Sequence, residues 1–456
     1  MGCVEDITII GAGLAGSEAA LQLARRGYYV TLCEMRPDTM TPAHHTGLCA
    51  ELVCSNSLKS TEAHTAAGTL KAELDVLGCQ LLPVAREHAV AAGSALAVDR
   101  DAFARAVTRA LEAEPRVTLR QQEVTELDPG ALTLIATGPL TSDALSKALR
   151  DVVGADALAF YDAAAPILAA DSLDTKRLFA AARRDKDNTD YLNIALDQEE
   201  YERFYEALVS AERVVSRDFE RRELFAACQP LEEVARSGAD ALRYGALKPV
   251  GVDDPRTGRW PYALVQLRAE NADRNAWNLV GFQTNLTFAE QRRVFSLLPG
   301  LEHAEFLRYG VMHRNTFLDA PRLLDSDLSL KAAPQLYVAG QLMGTEGYLE
   351  AVAGGLLAAL MITARLRGDQ GGDLTQSQQG SAELPPRSTT LGSLFRYATD
   401  AATQYYQPMH VNYGIIEPLP ARIRGKRERY LAYHERALRE LQQWQTCHKE
   451  LFCDGS

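Results

Sequence analysis

Two cysteines in a C-x-x-x-x-C pattern, Cys49 and Cys54 of the stretch CAELVCSNSL, follow closely on a glycine-rich turn. Beside a redox cofactor, such a pair suits thiol–disulfide exchange, with one sulfur facing the cofactor and the other the substrate. A thiolate also serves covalent catalysis by adding to an electrophilic carbon. Many free cysteines are only small buried hydrophobes, so the choice must come from their surroundings. The eight cysteines are spread from Cys3 through Cys33, Cys79 and Cys228 to Cys447 and Cys453. They lack the dense spacing that staples small secreted domains, which fits a reducing, cytoplasmic compartment.

The turn before them lies in DITIIGAGLAGSEAALQLARRGYYVTLCEMR, which reads as strand, tight turn, helix, strand. Gly11 permits the turn, Gly13 lets backbone approach a pyrophosphate, and Gly16 lets the helix pack on the strand. The pyrophosphate then meets free N–H groups at the helix N-terminus. Glu34 ends the second strand, where it accepts from ribose hydroxyls; a 2′-phosphate would obstruct this, favouring FAD or NAD over NADP.

Two later segments decide for FAD. LTLIATGPLTS is an apolar strand running into Gly138, and LYVAGQLMGTEGYLEAVAGGLLAALMITARLRG is a strand, a glycine-rich loop and a helix. Both resemble recurring motifs of the two-dinucleotide-fold flavoproteins. That resemblance puts Gly340 at the end of a strand running to the flavin, points the helix from about Gly347 at it, and offers Tyr348 as an aromatic contact.

These elements must come from a split domain. A chain of 456 residues suggests roughly two or three domains of ~150 residues. The expected fold class is α/β, a Rossmann-like two-dinucleotide-fold FAD-binding domain with an inserted α+β domain. Its first part covers residues 1–154, the insert 155–307, and its second part, with a C-terminal helical tail, 308–456. The insert alternates strand-like runs such as YALVQLRAE and WNLVGFQTNL with charged helices such as DQEEYERFYEALVSAE. GDQGGDLTQSQQGSAELPPRST lacks an apolar period and reads as a flexible loop.

Composition narrows the functions further. A net charge of −12 argues against a mainly electrostatic nucleic-acid binder, although Ala421 to Arg439 forms a local basic cluster. The N-terminus enters a strand with neither a basic region nor an apolar core, so no signal peptide is expected. Asp6 stands where myristoylation needs Ser or Thr. No charge-free apolar run reaches about 18 residues, so no membrane-spanning helix is expected. No metal and no protein partner are implied.

Taken together, GAGLAGSEAA, CEMRP, MTPAHHT, AELVCSNSL, ALAVDRDAF, ATGPLTS, FYDAAAPI, LKPVG, YGVMHRNTF, GTEGYLEAVAGG and, more loosely, QPMHVNYG closely resemble the folate- and FAD-dependent tRNA (uracil-5-)-methyltransferase family. The likeness runs from the first strand to the helix after Gly355. That family methylates uridine 54 in the T-loop of tRNA; the related glucose-inhibited division protein A flavoproteins are longer and modify wobble uridines.

The implied chemistry joins the motifs. Uracil C5 is a poor nucleophile until a thiolate adds at C6 and moves charge onto it. The carbon of 5,10-methylenetetrahydrofolate is at the formaldehyde level, so a methyl group needs two more electrons, which reduced flavin supplies and NADH or NADPH replenishes. The resemblance gives weight to Cys228 as the C6 nucleophile and Cys54 as an acid/base or protecting partner on the flavin side, with the reverse assignment open. Cys49 departs from the family, which usually has an aromatic residue there, and inherits no role. His313 is implied to stack on the folate pterin. Lys248, Arg422, Arg424, Lys426 and Arg427 are the expected phosphate contacts on tRNA. The competing reading is a flavin-dependent NAD(P)H disulfide oxidoreductase using Cys49 and Cys54, against which stands the lack of a second G-x-G-x-x-G in mid-chain.

Overall fold

The computed structural model describes residues 6–154, 158–163, 165–183, 189–214, 229–271, 273–310, 312–370, 383–403 and 406–453. Short apolar runs form a six-stranded sheet in the order Ser329–Leu330, Ala333–Val338, Thr133–Ile135, Ile7–Ile10, Val30–Glu34, Val117–Gln121. All neighbours are parallel except the edge hairpin at Ser329–Leu330. Parallel strands buried on both faces need near-continuous apolar sequence, and ITII and TLI supply it. Pairing puts Ile10 beside Ile135, and Ile135 beside Val338. Three strands from distant parts of the chain therefore end side by side.

Each outer strand of that trio feeds a helix, Leu14–Arg25 after the first and Tyr348–Gln370 after the third. The two helices pack together through small residues: a Cβ on Gly355 would lie 2.1 Å from the Ala15 carbonyl oxygen. The sequence gives no expectation of a membrane span, yet Tyr348–Gly368 is long and apolar enough to be one. Its charges, Glu350, Arg365 and Arg367, sit near its ends and leave the middle apolar. It is a core helix, with 89% of its most apolar window buried.

A second, antiparallel sheet runs Phe179–Ala180, Tyr191–Leu196, Ala263–Ala269, Ala276–Leu279, Ile167–Ala169, Phe306–Arg308. Its separate core, from Ala165 to Leu301, includes Phe204, Phe282 and Phe295. The helix Gln198–Ser210 starts at a capping box: Asp197 accepts from the Glu200 N–H at 2.8 Å and Glu200 from the Asp197 N–H at 3.0 Å. A ribbon of Leu158–Ala163 against Met312–Phe317 connects this lobe to the first. Residues 371–382 of the expected loop lie outside the described residues.

Buried carboxylates tie distant segments together. Glu73, on the helix Ala66–Val76, accepts from the Thr390 N–H (2.7 Å), the Thr390 hydroxyl (2.6 Å) and the Leu391 N–H (2.8 Å) at the start of the helix Thr390–Thr399. Glu232 does the same for Thr284 and Asn285. Burial pushes both carboxyls up to about 7 from an ordinary 4.5. The folded chain therefore binds more protons than the unfolded one between those values, and this contribution to stability is lost as pH rises through about 7. Melting curves should show the wild type losing ground to a Glu73→Gln, Glu232→Gln double variant across that window, with no relative change below it.

Candidate functional site

The three aligned strand ends create a crevice. Gly11 N–H donates to the Cys33 carbonyl at 2.8 Å, Ala136 N–H to Ile10 at 2.8 Å, and Ala339 N–H to Ile135 at 3.0 Å. Gly11, Gly138 and Gly340 thus follow neighbouring strands, the position where open α/β sheets bind ligands. Gly11 has φ +98°, and a Cβ there would stand 2.7 Å from the Ala136 carbonyl oxygen. At Gly16 a Cβ would fall 1.9 Å from the Gly11 carbonyl oxygen, whereas at Gly13 it would meet nothing within 4 Å. Gly13 begins the first helix without a side-chain cap, leaving N–H groups for an anion.

The adjoining cleft is lined by Gly11, Gly13, Glu34, His44, Thr137 and Ser142 among others. Glu34 accepts from the Ala12 N–H (2.9 Å) and from the Arg36 N–H (3.1 Å) and Nε (2.9 Å). Burial opposes its charge, but the Arg36 hydrogen bonds and charge hold its carboxyl below the ordinary range. An ionised carboxylate still has a lone pair to offer. These groups fit the adenosine and pyrophosphate of FAD: open space over an uncapped helix start, glycines where backbone comes close, and an acid on the next strand.

The cysteine loop is tied to this turn by the Ala50 N–H, which donates to the Ala12 carbonyl at 2.8 Å. Ala50 (φ +53°) and Lys59 (φ +65°) hold left-handed backbone on either side of Cys54, costing about 1–3 kcal/mol each and persisting only in fixed surroundings. Lys59 pairs with the buried Glu350 at 2.6 Å. Lys71, pulled down to about 8 by burial, donates to the Leu58 (2.5 Å) and Ser60 (2.9 Å) carbonyls.

Half-buried Cys54 meets Tyr348, the first residue of the flavin-side helix. The Tyr348 hydroxyl oxygen accepts from the Cys54 N–H at 2.7 Å, the Ser55 N–H at 3.2 Å and the Cys54 thiol at 3.0 Å. Burial, then the neighbouring thiol, holds the phenol well above its ordinary range, so Tyr348 stays neutral. Three arginines surround this pair. Arg100 Nε bonds Glu270 Oε2 at 2.5 Å, and its Nη1 donates to the Leu52 carbonyl at 2.8 Å and the Val53 carbonyl at 3.3 Å. Arg268 donates to Asn56 at 2.8 Å, and Arg308 to the Ala43 carbonyl at 3.1 Å. Each is close enough to interact electrostatically with Cys54. Burial works against all three cations and is the largest single influence on Arg100, where the Glu270 charge and hydrogen bond outweigh it together with the smaller contributions of Tyr348 and Cys54.

Cys49 is different. It is 1% exposed, and burial pushes its thiol up to about 11. Mass-mapped alkylation of flavin-free protein should label Cys54 in the native state and Cys49 only after denaturant; the reverse order would contradict this geometry.

The crevice collects Gly11, Gly13, Gly16, Glu34, Gly138 and Gly340, and Gly347 and Tyr348 open the helix after Gly340. His313 lies on the strand Met312–Phe317, opposite Asp162; its side chain, like Cys228, is outside the described residues. Lys248 is exposed on the lobe of the second sheet. Arg422, Arg424, Lys426 and Arg427 are exposed at the start of the helix Lys426–Cys447, which packs on Ala66–Val76, so the basic candidates occupy different lobes. Arg36, Arg100, Arg308 and Glu270 are site residues that sequence reasoning misses. Arg36 and Arg100 carried a signal, because they lie inside the motifs CEMRP and ALAVDRDAF.

A glycine crevice at parallel strand ends, two helices starting at it and a half-buried thiol beside the second define a flavoprotein of the two-dinucleotide-fold type. The family model described as Glucose inhibited division protein A matches residues 6–370. The methylenetetrahydrofolate–tRNA-(uracil-5-)-methyltransferase TrmFO of Moorella thermoacetica is 50% identical over 95% of this chain and 97% of its own. Its counterpart in Geobacter sulfurreducens is 50% identical over 96% and 98%. The solved structure of Aquifex aeolicus GidA superposes with a TM-score of 0.71 at 16% identity, covering 99% of this chain and 74% of that one, a likeness of fold. The chain belongs to the glucose-inhibited division protein A family of flavoproteins, within its methylenetetrahydrofolate–tRNA-(uracil-5-)-methyltransferase branch.

Proposed function

We propose that this enzyme methylates C5 of uridine 54 in the tRNA T-loop, taking carbon from 5,10-methylenetetrahydrofolate and electrons from NADH or NADPH through FAD. The observation that carries the reading is Cys54: a thiol on the Tyr348 hydroxyl, among three guanidiniums, in a loop tied to the flavin turn. Near-full-length identity to relatives named for this reaction supports it. Bound FAD supplies the two electrons that take the folate carbon to a methyl group.

The roles of the chain's own groups follow. Gly11, Gly13, Gly16 and the first helix bind pyrophosphate, Glu34 the ribose, and Gly138, Gly340 and Gly347 give the flavin backbone room. Cys54 holds or moves a proton on the flavin side, with its loop fixed by the neutral Tyr348 hydroxyl. Cys228 provides the thiolate that adds to uracil C6, and His313 the surface for the pterin. Lys248, Arg422, Arg424, Lys426 and Arg427 meet tRNA phosphates. The setting is cytoplasmic. The disulfide-reductase alternative is disfavoured, because a thiol held at about 11 is a poor exchange partner at neutral pH.

The test is transfer of radiolabel from methylenetetrahydrofolate to an unmodified tRNA transcript with NAD(P)H present. Label should reach wild-type substrate and vanish with Cys228→Ala, Cys54→Ala, or a uridine 54→cytidine transcript. No transfer by fully flavin-loaded protein would sink the reading.

A further inference from the structure

Aromatic rings of the second-sheet lobe line up from its core to its surface. Phe204 and Phe282 meet at 6.0 Å, and Phe282 and Phe295 edge-on at 5.4 Å. Beyond Phe295 the rings become nearly parallel. Phe295 and Phe306 lie 6.5 Å apart at 21°, Phe306 and Tyr309 4.8 Å apart at 7°, and Tyr309 and Phe288 4.6 Å apart at 19°. Phe288 is the outermost ring and is 54% exposed. It is the first residue of the helix Phe288–Phe295, whose start is capped by the Thr287 side chain.

Scattered exposed apolar side chains need no explanation, but this ring is aligned with a stack behind it. One face rests on Tyr309, and over half the residue is open. A second flat ring is the natural continuation, since offset parallel stacking is favourable between π-systems. Arg292 adds charge beside it: its guanidinium carbon stands 5.9 Å from the Tyr309 ring centre and its Nη2 donates to the Tyr309 hydroxyl. Arg292 is exposed, and no carboxylate pairs with it in the ion pairs of the described residues. The position is also informative. Tyr309 directly follows Arg308, which bonds the Ala43 carbonyl and acts on Cys54. The ring beneath Phe288 is therefore one residue along the chain from a side chain that reaches the thiol cluster.

We propose that Phe288 is the outer ring of a stacking platform for an unpaired base of the substrate tRNA, next to the uridine delivered to the thiol site, with Arg292 on the adjoining phosphate. This rests on the tRNA reading above. Drawing a uridine from a folded loop unstacks its neighbours, and a protein ring that takes up a freed base offsets that loss with little sequence dependence.

The experiment is anisotropy titration of labelled, unmodified tRNA transcript with flavin-loaded, full-length protein. Phe288→Ala and Phe288→Leu should each weaken binding by roughly 5- to 150-fold, while Phe288→Tyr stays within about twofold. Flavin absorbance should not change, and Phe288→Ala and Phe288→Leu should lower the melting temperature only slightly, because each removes the ring stacked on Tyr309. Wild-type affinity in Phe288→Ala would overturn the platform and leave the methylase reading standing. Full rescue by Phe288→Leu would also overturn it, since that indicates a general apolar contact. Failure of the wild type to bind any tRNA would remove the tRNA reading, and the platform with it.

Discussion

Arg100→Ala is expected to destabilise the protein by about 3–5 kcal/mol, the usual cost of removing one partner from a buried pair, and to abolish methyl transfer. The Arg100 and Glu270 side chains are 13% and 6% exposed, and Glu270 Oε1 already lacks a partner among the described residues. Without Arg100 the Glu270 carboxylate loses its hydrogen-bonded ion pair and keeps only the nearby charges of Arg268 and Arg308, and the Leu52 and Val53 carbonyls lose the donor that sets the path into Cys54. Arg100→Lys should not rescue, because an ammonium lacks the fork that serves Glu270 and the loop at once. Denaturant midpoints for Arg100→Ala, Glu270→Ala and the double variant check this: the double should lose clearly less than the sum of the singles. Additive losses would mean that the pair is not coupled.

Gly16→Ala is expected to give protein that is destabilised and colourless, whereas Gly13→Ala is expected to fold normally but hold FAD weakly. At Gly16 the new methyl would stand 1.9 Å from the Gly11 carbonyl oxygen, and Gly11 is itself hemmed in by Ala136, so neither helix nor turn can yield. Overpacking of this kind costs about 1–3 kcal/mol or more. At Gly13 no protein atom lies within reach, so the methyl occupies only the space over the helix start. Absorbance near the flavin band and thermal melts of flavin-free protein separate the two effects. A Gly13→Ala variant with full FAD affinity would place the pyrophosphate elsewhere.

The flavin crevice was legible in the sequence because its chemistry is local. Gly11, Gly13, Gly16 and Glu34 report a turn, a helix start and a strand end within one βαβ unit, and the charged run DQEEYERFYEALVSAE marks the helix found at Gln198–Ser210. The surroundings of Cys54 were not legible. Arg100 meets Glu270 across 170 positions and Arg268 meets Asn56 across 212, and no spacing rule encodes contacts made only when two lobes close. Tyr348 was expected as an aromatic contact at the cofactor; that its hydroxyl also holds the Cys54 loop had no signal in the sequence. The core helix at Tyr348 escaped notice as a membrane-length segment because charges near its ends hid the apolar middle.

The central sheet has a consequence for how the protein is made. Thr133–Ile135 hydrogen-bonds on one side to Ile7–Ile10 and on the other to Ala333–Val338, while the second sheet draws only on strands between Ile167 and Arg308. On the ribosome the interrupting lobe can close while the strand that precedes it still waits, one edge bare, for a partner not yet translated. Flavin loading must then come last, and nascent chains stalled before Val338 should hold a protease-resistant middle and no bound flavin.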